Sequence, residues 1–145
     1  MNDERFAVLA KFGKTIEQLN ELSQEFKDTL SRGKSSFPPV GSVVVESGTI
    51  HVNTLGYKFR SMEKVVLSDD KTLFLELSFV IGEGDEEELI VSCYLSTGGT
   101  VFAEPTYDNK ICEFNNTYST EDILMLVANA LIDSSLLNPS HTQSA

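Results

Sequence analysis

The densest group of chemically capable side chains in the chain is Gly82-Glu83-Gly84-Asp85-Glu86-Glu87-Glu88, which holds five carboxylates in seven residues. Paired carboxylates do general acid–base work when a partly desolvated cleft moves their pKa values apart. Mutual repulsion and two glycines predict the reverse here, a flexible loop tip held in water. The run also lacks the spaced oxygen ligands and central glycine of a calcium-binding helix-loop-helix. Other reactive groups are few. Of the two histidines, His141 lies near the C-terminus, and His51, between Ile50 and Val52, would have to build a metal site or a charge-relay triad alone. No dinucleotide-binding GxGxxG and no phosphate-loop GxxxxGK[ST] occurs, and Gly98-Gly99 reads as a hairpin turn. Cys93 and Cys112 read as reduced core thiols of an intracellular chain, with a disulfide between neighbouring strands left open. Asn115-Asn116-Thr117 matches a glycosylation acceptor, which has no meaning without a secretory route. No catalytic residue, metal site or cofactor is expected.

These residues sit on elements with clear periodicity. From Thr72 to Ile81, Leu73, Leu75, Leu77, Phe79 and Ile81 alternate with Phe74, Glu76, Ser78 and Val80, the period of a strand with one core face. The return arm puts Leu89, Val91, Cys93 and Leu95 on one face and Glu88, Ser92 and Ser96 on the other. The opposite face of the pair still carries Phe74, Val80, Ile90, Tyr94 and Phe102, so something is expected to cover it. Ser96-Thr97-Gly98-Gly99 turns the chain into a further strand, Thr100 to Glu104, and Lys110 to Phe114 is the last one. Before the central arm come two short strands around Ser47-Gly48. A longer strand, Tyr57 to Leu67, follows, with Lys58, Arg60 and Lys64 on one face and Tyr57, Phe59, Val65 and Leu67 on the other.

Helices flank this meander. Asp3 to Ser31 reads as one long amphipathic helix in which Leu9, Phe12, Ile16, Leu19, Ser23, Phe26 and Leu30 recur at spacings of three and four. At 1.5 Å per residue it runs roughly 43 Å, longer than a typical strand, so it either kinks near Gly13 or reaches beyond its own domain. The stripe Leu9, Phe12, Ile16, Leu19, Phe26 and Leu30 suits first of all packing on the chain's own sheet, and, without excluding it, a helix-mediated homodimer. Residues 32–39, with two serines and paired prolines, form a connector. Ser119-Thr120-Glu121-Asp122 opens a second helix as a capping box, with Tyr118 placed to staple against Ile123. That helix runs over 119–137 with Ile123, Leu124, Val127, Ala130, Leu131 and Ser134 on its apolar face, and 138–145 is a frayed tail. The expected architecture is a single α+β domain over 1–145: a long N-terminal amphipathic helix, an antiparallel meander of six or seven strands over 40–114, and a C-terminal helix packed on the sheet.

Composition bounds the function. The chain has 145 residues, 41% hydrophobic and 23% charged, with a net charge of -11. These proportions suit one globular domain. No run of eighteen apolar residues exists, and Met1-Asn2-Asp3-Glu4-Arg5 begins acidic and turns amphipathic, unlike a secretory signal. The expectation is a soluble cytoplasmic protein without membrane contact. The charge repels phosphate, and the nearest basic group, Lys58, Arg60 and Lys64, has its aromatic, Tyr57, on the opposite strand face. Direct nucleic-acid binding is therefore not expected.

Charge is also divided along the chain. Met1 to Lys71 holds ten Lys and Arg against ten Asp and Glu, whereas Thr72 to Ala145 holds Lys110 against twelve acids. An acidic surface aids solubility, but the near-absence of bases from the second half points to a partner. The leading expectation is a small acidic, non-enzymatic interaction protein of the inhibitor, immunity or anti-defence type. It would bind and block or shield a basic partner protein through Glu83, Asp85, Glu86, Glu87, Glu88, Glu104, Asp108, Glu121 and Asp122. The alternatives are a ligand-binding or catalytic α+β domain with a pocket between sheet and helix, and a dimeric chaperone. In size, acidity and flanking helices the chain is similar to secretion chaperones, but those interrupt their sheet with a helix, and none is expected between Val40 and Phe114.

Overall fold

The computed structural model describes residues 3–32, 40–114, 116 and 118–139. Most of the expected connector and the end of the expected tail lie outside the described residues. Helix α1 spans Asp3–Arg32 without interruption at Gly13. Among the described residues seven strands follow: β1 (Gly41–Glu46), β2 (Thr49–Thr54), β3 (Tyr57–Leu67), β4 (Leu73–Ile81), β5 (Glu88–Leu95), β6 (Thr100–Phe102) and β7 (Lys110–Glu113). Helix α2 spans Ser119–Asp133. The sheet order is the sequence order, β1 to β7, and every neighbouring pair is antiparallel. The architecture is thus α+β, a curled antiparallel meander with an α-helix before and after it.

Local chemistry explains the hairpins. The β2–β3 turn, Leu55-Gly56, has positive φ at both residues, 51° and 87°, as a two-residue turn matched to strand twist requires. Gly82, after β4, has φ 87°, and a Cβ there would collide with the Glu86 carbonyl, so this turn closes on itself only with glycine.

One hydrophobic cluster holds the domain together. Leu19, Phe26 and Leu30 of α1 and Ile123, Leu124, Val127 and Leu131 of α2 are buried with Ile50, Val52, Phe59, Leu75, Leu77, Phe79, Cys93, Leu95 and Val101 of the strands. Both helices cover this inner face: α1 touches β1, β4 and α2, while α2 touches β1, β2, β5 and β7. Each fully buried large side chain stabilises by roughly 1.5–3 kcal/mol relative to exposure. Ser23, in the middle of the α1 stripe, is explained by a polar contact, since its hydroxyl donates to Glu63 Oε1 at 2.8 Å. The Lys27 Nζ meets the other oxygen of the same carboxylate at 2.6 Å, which ties α1 to β3.

Three expectations need correction. First, β4 and β5 are joined with a bulge between Phe79 and Val80, so Phe79 faces Val91 but Val80 faces Leu89. The extra residue reverses the side-chain alternation. Ile90 therefore packs against the core, and Leu89, expected inside, is 57% exposed. Second, Ser119 is the first helical residue of α2 rather than its cap. Its buried hydroxyl donates to the Glu113 carbonyl at 2.7 Å, and Tyr118, the cap position, makes no side-chain cap bond. Third, α2 ends at Asp133, not 137, and Ala128 rather than Ala130 is among its buried residues. The segment beyond is held by the Tyr57 hydroxyl, which donates to the Leu136 carbonyl at 3.1 Å.

The cover expected over the outer face is local. Tyr107, in the β6–β7 loop, packs against Phe74 in a tilted pair and against Phe102 edge to face, with ring centroids 5.1 and 5.3 Å away, and both phenylalanines are buried.

The bulge makes a testable distinction between neighbouring leucine and isoleucine. Leu75→Asp should unfold the domain, and Ile90→Asp should lower stability by about 1–3 kcal/mol, because both put a charge on the core side. Leu89→Asp should change stability by no more than about 0.5 kcal/mol, as an exposed position does. Chemical denaturation of the three variants checks this, and equal losses at positions 89 and 90 would refute the bulged register.

Candidate partner-binding surface

The β4–β5 loop has hydrogen-bonded local structure. Gly84–Glu86 forms one turn of 3-10 helix, with the Glu86 N–H bonded to the Glu83 carbonyl at 3.0 Å and the Glu87 N–H to the Gly84 carbonyl at 3.2 Å. Arg60, on the outer face of β3, grips the loop from beside it. Its Nη1 donates to the Gly82 carbonyl at 2.6 Å, and its Nη2 pairs with the Glu87 carboxylate. The loop expected from sequence to be held in water is thus a hydrogen-bonded turn with its acids at the surface. Glu83, Asp85, Glu86 and Glu88 are exposed on it.

The nine expected partner-binding acids fall in three places. Glu83, Asp85, Glu86, Glu87 and Glu88 share this loop and the first residue of β5. Glu104 and Asp108 lie in the β6–β7 loop that Tyr107 folds onto the outer face. There Glu104 accepts from the Asn109 amide at 3.1 Å and Asp108 from the Thr106 hydroxyl at 3.3 Å. Glu121 and Asp122 lie in the first turn of α2, where partial burial, reinforced by the charge of Glu121, pushes the Asp122 carboxyl above its ordinary range. Lys110, the base of the second half, is 2.7 Å from Glu113, whose pKa it lowers together with a hydrogen bond from Thr100.

The expected dimerisation stripe is used mainly within the chain. Leu19, Phe26 and Leu30 are buried in the core, Phe12 and Ile16 are half-buried against it, and Leu9 is exposed.

Other reactive groups are placed as follows. His51 sits on β2 across from Arg60 and lines a small open recess with Lys58, Gly82 and Glu83. Cys93 and Cys112 are both free and buried. Burial pushes the Cys93 thiol strongly upward and the Cys112 thiol to about 12, the latter opposed by a hydrogen bond with Ser119. No group of three or more metal-ligating side chains occurs among the described residues. A groove of about 330 Å³ on the outer face is lined by Met62, Lys64, Glu76, Ser78, Val80 and Leu89. Another, of about 390 Å³, lies between α1 and the strand ends, with Phe12, Thr15, Gln18, Lys71, Leu73 and Thr97 in its walls. Among the described residues no helix is long and apolar enough to cross a membrane.

Comparison with protein families, with curated proteins and with solved structures finds no match to this chain.

Sequence reasoning missed Arg60 as the loop's anchor and Glu63 as the partner of Lys27. Both depend on strand register. The nearest signal was the placement of Arg60 on the face opposite Phe59, which points it away from the core.

The thiols give a pH prediction. A thiolate is the reacting form, and folding raises both pKa values above the ordinary value of about 8.5. The native protein should therefore resist alkylation by iodoacetamide up to about pH 9, whereas the denatured chain reacts at both cysteines. Mass spectrometry of the alkylated protein checks this, and rapid native labelling at either position would contradict the burial described.

Proposed function

We propose that the chain is a non-enzymatic interaction protein that binds, and blocks or shields, a basic partner protein through the β4–β5 loop. The observation that carries this reading is the grip of Arg60 on Gly82 and Glu87. It braces an acidic turn and leaves Glu83, Asp85, Glu86 and Glu88 exposed. A surface ordered before binding loses less conformational entropy when a partner arrives. Its charge steers a basic surface toward it and accelerates association in a salt-dependent way. The uneven charge of the two halves supports the same reading, since the whole excess of acid lies after Lys71. The inhibitor, immunity or anti-defence role belongs to this proposal, as does a cytoplasmic setting.

A second reading, a ligand-binding domain, is favoured by the groove between α1 and the strand ends. Native mass spectrometry of the purified protein tests it: a co-purifying small molecule displaced by Gln18→Trp would support it.

The partner-binding reading is tested by affinity capture from the native host followed by association kinetics with the captured protein. Replacing Asp85, Glu86, Glu87 and Glu88 by Ser should slow association about tenfold or more at low ionic strength and flatten its salt dependence. Arg60→Ala should slow it less, through loosening of the loop. An unchanged rate and an unchanged salt slope in the four-fold variant would remove the proposal.

A further inference from the structure

The free edge of β3 carries an inference beyond partner binding. β2 pairs with β3 only from His51–Arg60 to Thr54–Tyr57, while β4 pairs with β3 as far as Leu67. The Ile50 N–H is met by the Ser61 hydroxyl at 2.9 Å, and past that point, among the described residues, β3 has a strand on one side alone. At the far end of β3 the Ser68 N–H bonds to the Thr72 carbonyl at 2.9 Å. Antiparallel pairing alternates, so Val66, Lys64 and Met62 bond toward β4, and the N–H and C=O groups of Glu63, Val65 and Leu67 point away from it. Such a row is a template for another strand.

An exposed apolar surface adjoins this edge. Leu67 and Val65 are 46% and 36% exposed on β3, and Leu9 and Phe6 are 60% and 73% exposed on α1. Leu9 precedes Lys27 by eighteen residues, about five helical turns, so the two share one side of α1. Lys27 reaches Glu63 of β3, which makes that side the β3 side. Val8 and Phe12 flank Leu73, the strand partner of Leu67, so this part of α1 lies at the Leu67 end. Gly13 continues the line one turn after Leu9. A Cβ there would meet nothing within 4 Å among the described residues, so they give no reason for glycine inside the helix. A close-packed neighbour does.

Charge selects the neighbour. Edge and helix both belong to the half of the chain with ten bases and ten acids, which a second copy meets without repulsion and which offers a basic partner no attraction. Two-fold antiparallel pairing centred on Val65 sets Glu63 across from Leu67 and Lys64 across from Val66. Shifting the centre to residue 64 or 63 would oppose Lys64 to itself or Glu63 to itself, which disfavours those registers. We propose that this surface is the seam of a homodimer in which residues 63–67 of two β3 strands pair about a two-fold axis, with Phe6, Leu9 and Gly13 packed across it.

Light scattering during size exclusion of the full chain, from micromolar to near-millimolar concentration, should show twice 16.0 kDa. Val65→Lys, Leu9→Glu and Gly13→Gln should each raise the dissociation constant about tenfold or more while near-UV circular dichroism stays native. Hydrogen exchange supplies a reading that a purely helical contact would not give: the Glu63, Val65 and Leu67 amides are protected in the wild type and exchange fast in Leu9→Glu. A wild type that stays at 16.0 kDa throughout overturns the dimer. A dimer whose Glu63, Val65 and Leu67 amides exchange fast, or one that survives Val65→Lys, overturns the strand seam. None of these outcomes depends on whether the β4–β5 loop binds a basic protein.

Discussion

An antiparallel meander with one apolar face must have that face covered, and the burial of β4 beneath α1 and of β1, β2, β5 and β7 beneath α2 is the interaction the rest depends on. Leu75, Leu77 and Phe79 are buried there with Leu19, Phe26 and Leu30. A slip of one residue in β4 would turn all three strand residues outward, so the same burial also fixes register. It explains the overhang of α1 as well. A thirty-residue helix is about 45 Å long, and a nine-residue strand about 30 Å. The helix outruns the sheet, and its first turns keep Phe6 and Leu9 exposed.

The bulge at Phe79 and Val80 links this core to the acidic loop. By adding a residue to β5 it returns Ile90 to the core and sets Glu88 opposite Ile81 at the mouth of the turn. Arg60 pairs with Val80 across the β3–β4 ladder, on the outer face, and from there reaches Gly82 and Glu87. The loop's shape therefore depends on the register of three strands. A change at the bulge would displace the loop relative to Arg60, because the arginine is fixed to β3 while Glu87 moves with β5.

Most of the fold was legible because it rests on short periods and turn chemistry. The alternation of Leu73 to Ile81, the Ser47-Gly48 and Leu55-Gly56 turns and the three-four stripe of α1 are all local signals, and they yield the α+β meander. What was not legible is set by position rather than by composition. Leu89 and Ile90 are both apolar, so no count of residues tells which one a bulge turns inward. Tyr107 covers Phe74 from more than thirty residues away. Ser119 carries a capping residue's chemistry, yet the nearby Glu113 carbonyl takes its hydroxyl. For the candidate site, the identity of the acids was plain in the sequence. Their dispersal over the β4–β5 loop, the outer-face loop and the start of α2 was not, since it follows from how the strands and Tyr107 route those loops.

The free edge of β3 and the acidic loop lie toward opposite ends of the same pair of strands. Val65 is paired with Leu75, whereas Arg60, at the loop end, is paired with Val80. From Leu75 to Gly82 is seven residues, about 23 Å along an extended strand. That is nearly three Debye lengths of about 8 Å at physiological ionic strength. The loop's charge is therefore largely screened at the edge, and pairing of two edges is not opposed by two acidic loops. Two-fold antiparallel pairing also sends the two loops in opposite directions from the axis. On the proposed readings, the dimer would present two separated acidic turns. A partner with two basic surfaces at a matching spacing would then bind with an effective concentration that a monomer cannot supply. A partner with one basic surface would gain nothing from dimerisation, so the affinity difference between dimeric and monomeric forms reports the partner's own valency.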